Sequence, residues 1–238
     1  MRALFIFPHP DDESFGPAGA IYRLIQEGHE VHLLTLTRGG ATKEWHRLGL
    51  TIEEMGAVRV AEMHSVATVL QLTSMEILDL ADSGLFEMAP QDIMDAIRPH
   101  IDRVKPHVVV TYPVGGISGF PDHLVCHAVV KQLFVELRMA EAPFPKRLAF
   151  FALDESTTTV PAEGRFRVAM SARDLIDCVV ELLEGDLDVC QRALDCYATY
   201  QNVIAASRIR EVLGHSVAFE FFQEDYSPPS GNIFVDLE

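Results

Sequence analysis

Leu4-Phe5-Ile6-Phe7-Pro8-His9-Pro10-Asp11-Asp12-Glu13 decides the reading of this chain. The first four residues form an apolar run, which reads as a short buried strand. An imidazole and three carboxylates follow at once. In an open α/β sheet, ligands sit just beyond the carboxyl ends of the strands. A histidine and acidic residues packed at such an end are candidates for a divalent metal site.

Outward from that stretch the chain alternates. Residues 2–7 read as a strand, Gly16 to Glu27 as a helix and Val31 to Leu36 as a second strand. That is the size of a βαβ crossover. No G-x-G-x-x-G follows the first strand, so the dinucleotide fingerprint is missing. Residues 51–64 read as helix, and Val66 to Leu72 and Ile77 to Leu80 as short strands. Residues 91–104 form an amphipathic helix, and His107 to Thr111 a buried strand. After a loop rich in glycine and proline, Asp122 reads as an N-cap for a helix over Leu124 to Leu137.

Leu148 to Leu153 and Arg165 to Met170 are predicted strands, with a polar loop over 154–164. Ala172 to Glu184 and Leu187 to Asn202 carry helical patterns. Val217 to Phe222 reads as a late strand at a sheet edge or an interface, and the tail from Tyr226 as irregular. The alternation predicts an α/β, Rossmann-like fold with a mostly parallel sheet and helices on both faces. No linker is visible, so residues 1–238 are expected to form one domain.

Hydrophobic residues make up 48% of the chain, enough for a large core, and the net charge is −16. Such acidity argues against nucleic acid or an anionic membrane as the main partner. The N-terminus runs straight into a strand, so no signal peptide is expected, and no apolar run reaches the length of a spanning helix. Cys126, Cys178, Cys190 and Cys196 fall in segments that read as helices and form no C-x-x-C pair. Buried free thiols in a reducing cytoplasm are the expectation.

Two loops carry chemistry. One holds His9, Asp11, Asp12 and Glu13; the other holds Asp122 and His123, with His127 one helical turn on. In a doubly wound sheet the strands before them are neighbours, which brings the loops together. Two imidazoles and one carboxylate make the three-ligand set of a catalytic zinc site, and another carboxylate could serve as general base. The i,i+4 pair His123 and His127 is not a zincin motif, because Leu124 stands where that motif needs glutamate. Two acidic residues after a first strand also occur in magnesium-binding receiver domains, but that pattern leaves His9 and His123 unexplained.

The segment Pro8 to Glu13, with Gly119-Phe120-Pro121-Asp122-His123 downstream, resembles the PIG-L/LmbE-like family of zinc-dependent N-deacetylases. That family's motifs read (A or P)HPDDE and HPDH. The resemblance implies a Rossmann-type sheet, Zn2+ or another divalent metal as cofactor, and an N-acetylated amino sugar or its conjugate as substrate. It also implies self-association as trimers or hexamers. His9, Asp12 and His123 are the implied metal ligands. Asp11 is the implied general base, and Asp122 an electrostatic partner of the catalytic histidine. Arg38 matches an arginine that contacts substrate, and Asp82 an aspartate that binds sugar hydroxyls.

One position departs from the pattern. Phe120 stands where the family has the histidine that stabilises the tetrahedral intermediate and protonates the leaving amine. Loss of one such donor typically costs ~10²–10³ in rate. Three explanations stand: His127 or another side chain takes over, the substrate needs less help, or the protein binds sugars without hydrolysing them well. An amidase for thiol-sugar conjugates would use the same centre.

Several residues keep two readings. Glu13 is a ligand or a hydrogen-bonding group behind the ligands. His127 lies on the helix surface or in the site. Arg38 contacts substrate or caps a loop, and Asp82 binds sugar or shapes a turn. Trp45 and His46 line the entrance or sit in an exposed loop. Phe219, Phe221 and Phe222 are core or subunit interface.

Overall fold

The computed structural model describes residues 1–158 and 168–238. Among these, seven strands form one sheet: β1 (Arg2–Phe7), β2 (Glu30–Thr37), β3 (Ser74–Leu80), β4 (Val108–Thr111), β5 (Arg147–Ala152), β6 (Cys178–Glu181) and β7 (Ser216–Phe221). Their order is β3-β2-β1-β4-β5-β7-β6. The first five are parallel, β7 pairs antiparallel with β5, and β6 antiparallel with β7. The helices are α1 (Ala18–Gln26), α2 (Glu44–Leu48), α3 (Ile52–Leu70), α4 (Pro90–Val104), α5 (Pro121–Met139), α6 (Glu184–Cys196), α7 (Gln201–Ser207) and α8 (Ile209–Val212). No helix of the described residues is long and apolar enough to cross a membrane.

The pleat of β1 divides its side chains between two cores. Ala3, Phe5 and Phe7 pack with apolar residues of α1, α3 and α6. Leu4 and Ile6 pack with those of α4 and α5. Burial on both faces explains why these strands read as unbroken apolar runs rather than alternating ones. Strand order reverses at β1: β2 lies on one side and β4 on the other, with Phe5 opposite Val110. The loops after β1 and β4 therefore leave the sheet side by side, at the crevice where such folds bind ligands.

Four expectations change. The helix predicted to end at 64 continues to Leu70, because Val66 and Leu70 extend the buried stripe of Met55 and Met63. It opens on a capping box in which Thr51 Oγ1 accepts the Glu54 amide and Glu54 Oε2 accepts the Thr51 amide. Residues 172–184 form one 3-10 turn, Arg173–Leu175, followed by β6, because Val179 and Val180 pair with β7. Cys178 accordingly sits on a strand, whereas Cys126, Cys190 and Cys196 sit on helices. β7 is an interior strand, with β6 at the edge. Of the predicted strand Arg165 to Met170 and the loop 154–164, residues 159–167 lie outside the described residues, and 168–170 form no strand.

Candidate metal centre

The turn after β1 is built by its own backbone. Asp11 adopts φ +88°, in the left-handed region. Non-glycine residues seldom enter it, although aspartate does so more readily than most. The Asp11 carbonyl accepts from the amides of Ser14 and Phe15, at 2.8 and 2.9 Å. Pro10 packs on Gly39, where a Cβ would lie 2.7 Å from Pro10 Cδ. The loop after β2 can thus close over the motif only with glycine there.

Two groups of donor atoms converge, each set within 4.8 Å of one another: His9, Asp12 and His123, and His9, Asp82 and Asp122. In the first, His123 Nδ1 donates to the Gly116 carbonyl at 2.9 Å. A carbonyl only accepts, so Nδ1 carries the proton and Nε2 presents its lone pair, 3.4 Å from Asp12 Oδ1. Asp12 is fixed by the Tyr112 hydroxyl, which donates to Oδ1 at 2.7 Å, and by the His9 amide, which donates to Oδ2 at 2.8 Å. The Tyr112 and His123 rings stack with centroids 4.2 Å apart.

The second group surrounds the other nitrogen of His9. His9 Nε2 lies 3.1 Å from Asp122 Oδ2 and 3.4 Å from Asp82 Oδ1, while Nδ1 lies 3.7 Å from Asp12 Oδ2. Both carboxylates are held in turn, Asp122 by the Leu85 amide at 3.2 Å and Asp82 by the Ala41 amide at 2.5 Å. An imidazole whose far nitrogen donates to a carboxylate is the usual arrangement behind a metal-ligating histidine.

Burial alone would lower the His9 pKa, but the hydrogen bond that His9 donates to Asp122 and the charges of Asp12 and Asp82 outweigh it and raise it to about 9. For His123, burial prevails and lowers it, against the pull of Asp12. Burial pushes Asp11 up to about 7, with the Arg59 guanidinium opposing and the Asp12 charge adding to the rise. So much acid around two imidazoles is an electrostatic load that a cation would relieve.

The structure brings together His9, Asp12, Asp82, Asp122 and His123, while the carboxylate of the neighbouring Asp11 pairs with Arg59. Asp122 does not cap α5: the cap position is Phe120, Pro121 opens the helix, and Asp122 turns to His9. Phe120 stands at the mouth, 51% exposed, its ring centroid 5.8 Å from that of His123. His127 is buried rather than on the helix surface. Its Nδ1 donates to the Tyr112 carbonyl at 2.9 Å, its ring packs on Phe150, and its Nε2 has no partner among the described residues. Arg38 is half-exposed, 4.0 Å from Asp79. Glu13 is fully buried, accepting from Ser14 and Tyr197. Trp45 and His46 stack on each other with centroids 3.4 Å apart.

Two residues escaped the sequence reading. Arg59 on α3 is 2% exposed and donates through Nη2 to the Pro10 carbonyl at 2.6 Å and to Asp11 Oδ2 at 3.0 Å. A signal existed: Arg59 falls on the same helical stripe as Met55 and Met63, and a buried charge demands a partner. Tyr197, after α6, accepts the Asp11 amide at 2.8 Å. Nothing in the local sequence marks it.

The family model described as PIG-L: GlcNAc-PI de-N-acetylase matches residues 4–134, more than half of the chain. A 1D-myo-inositol 2-acetamido-2-deoxy-alpha-D-glucopyranoside deacetylase of Rhodococcus opacus (strain B4) is 33% identical over 150 residues, covering 54% of this chain and 51% of the relative. The chain spans about half the length of the curated relatives it matches most strongly. Among solved structures, a deacetylase of the teicoplanin biosynthesis pathway superposes with a TM-score of 0.73 at 15% identity, covering 93% of this chain and 97% of that one. The 4-carboxy-2-hydroxymuconate hydratase of Pseudomonas putida KT2440 gives 0.67 at 18% identity, covering 94% and 96%. At such identities these two share the fold alone. The match over residues 4–134, which contains both histidine–aspartate loops, places the chain in the PIG-L family.

Proposed function

We propose that the protein is a zinc-dependent amide hydrolase that removes the acetyl group from an N-acetylated amino sugar or its conjugate. The observation that carries this reading is the meeting of His9, Asp12 and His123 at the strand ends, with the Asp11 carboxylate close enough to Asp12 for their charges to interact. The names of the family model and of the inositol-linked relatives support the substrate class.

The residues fit a zinc ion. Two nitrogens and one oxygen are the donor set of a catalytic site, and the His123 lone pair is left free by its bond to Gly116. His9, Asp12 and His123 would hold the ion, with Asp122 orienting His9 and Tyr112 orienting Asp12. When bound, it supplies Lewis acidity toward the acetyl carbonyl and lowers the pKa of a water to roughly 7.

The protein's own groups do the rest. Asp11 takes the proton of the attacking water, with Arg59 fixing its carboxylate. Protonated Asp11 then gives that proton to the departing amine as the C–N bond breaks, which balances the transfer. Phe120 takes no part in proton transfer. Asp82 and Arg38, at the ends of neighbouring strands, orient the sugar.

Phe120 also favours a second reading, a sugar-binding protein of low hydrolytic power. Metal analysis of the purified protein followed by a panel of N-acetylglucosaminyl compounds separates the two. The hydrolase reading expects one zinc per chain, acetate release from at least one compound, and an Asp11→Asn variant that keeps its zinc but loses most turnover. Absence of bound metal, or full activity in that variant, sinks it.

A further inference from the structure

Tyr197 is fully buried and lies beyond the residues that match the family model. Its oxygen accepts the Asp11 amide at 2.8 Å, so its own proton goes to Glu13 Oε1, 2.7 Å away. Its ring lies 5.0 Å from the Arg59 guanidinium carbon, and the Tyr200 ring 4.1 Å from the same atom. Arg59 in turn grips Pro10 and Asp11. One side chain thus touches both supports of Asp11. The hydroxyl holds the amide of the left-handed Asp11, and the ring packs against the guanidinium that holds the carboxylate. A phenylalanine would fill the same core volume, so the buried hydroxyl answers to Asp11 and Glu13 rather than to packing.

We propose that Tyr197 is a positioning residue, through which the C-terminal half of the chain fixes the reactive placement of Asp11. This rests on the reading of Asp11 as the base. Tyr197→Phe removes the hydroxyl and keeps the ring. The expected result is a fall in kcat of about 10–100-fold, the scale of a small misplacement of a reacting group. KM changes less than about twofold, and zinc content is unchanged. Placed on Asp11→Asn, the same substitution costs less than about twofold, because the side chain it serves is already gone.

A readout that needs no substrate comes from protein loaded with cobalt(II) alone. The pH midpoint of its visible absorption band moves in Tyr197→Phe in the direction it moves in Asp11→Asn. Slow hydrogen exchange of the Asp11 amide in the unaltered protein is a further expectation, which does not depend on any variant folding. Wild-type kcat in Tyr197→Phe, an equal loss in both backgrounds, an unmoved cobalt midpoint or a rapidly exchanging Asp11 amide each overturns the proposal. Should the unaltered protein hydrolyse nothing on the panel, the hydrolase reading fails, and the cobalt and exchange measurements alone decide the positioning.

Discussion

Arg59 Nη2 stands 3.0 Å from Asp11 Oδ2, and the arginine side chain is almost wholly out of water. A buried guanidinium is tolerated only while its partner remains. Arg59→Met would leave Asp11 buried without its cation, at a cost of about 3–5 kcal/mol measured by denaturant unfolding. Arg59→Lys keeps the charge but not the planar group that packs on Tyr197 and Tyr200 while its Nη2 reaches Pro10 and Asp11. It should retain most of the stability and lower kcat by at least about tenfold. Equal kcat in Arg59→Lys and the unaltered protein would remove Arg59 from the account.

With zinc bound as proposed, its removal should loosen the fold. An ion present at about a thousand times its Kd stabilises the folded state by ~4 kcal/mol. For a chain of this size, chelation should therefore lower Tm by on the order of 10 °C. His123→Gln should abolish that response, because it deletes the lone pair aimed at Asp12. A chelation shift that survives in His123→Gln would put the ion elsewhere.

Phe120→His restores the residue that the family motif carries. The position is half-exposed at the mouth, so folding stability should change by less than about 0.5 kcal/mol. Deacetylation should rise by at least about tenfold, toward the worth of one oxyanion donor. A fall instead would mean that another group already does this work and that the new imidazole obstructs it.

His127 offers a pH test. Burial pushes its imidazole below its ordinary value of 6.5, against the hydrogen bond to Tyr112. The unfolded chain then binds the proton more readily than the folded one. This histidine's contribution to stability is fully present above 6.5 and is lost as pH falls below it. His127→Asn keeps a donor for the Tyr112 carbonyl and cannot titrate. Between pH of about 7.5 and 5 it should lose less stability than the unaltered protein in urea titrations. Identical losses would refute the assignment.

Much of this was legible in the sequence. The apolar runs at Leu4–Phe7 and Val108–Val110 announced parallel strands, and the strand-end rule joined His9, Asp12 and His123 across a long separation. Asp82 and Asp122 were named, and both lie against His9. Two of the misreadings share one cause. Val66 to Leu70 and Cys178 to Glu181 are short apolar runs that suit helix or strand equally, and only their neighbours decide. Tyr197 left no trace, because its role comes from a contact with Asp11 across most of the chain.

The place of β7 bears on how the molecule is made. β5 takes its second neighbour from residues 216–221, more than sixty residues further along the chain. A nascent polypeptide leaving the ribosome would therefore expose the outer border of β5 until residues 216–221 had been translated. Such open borders invite pairing between molecules. Slowed elongation between residues 152 and 216 should lower the soluble yield more than slowing before residue 147.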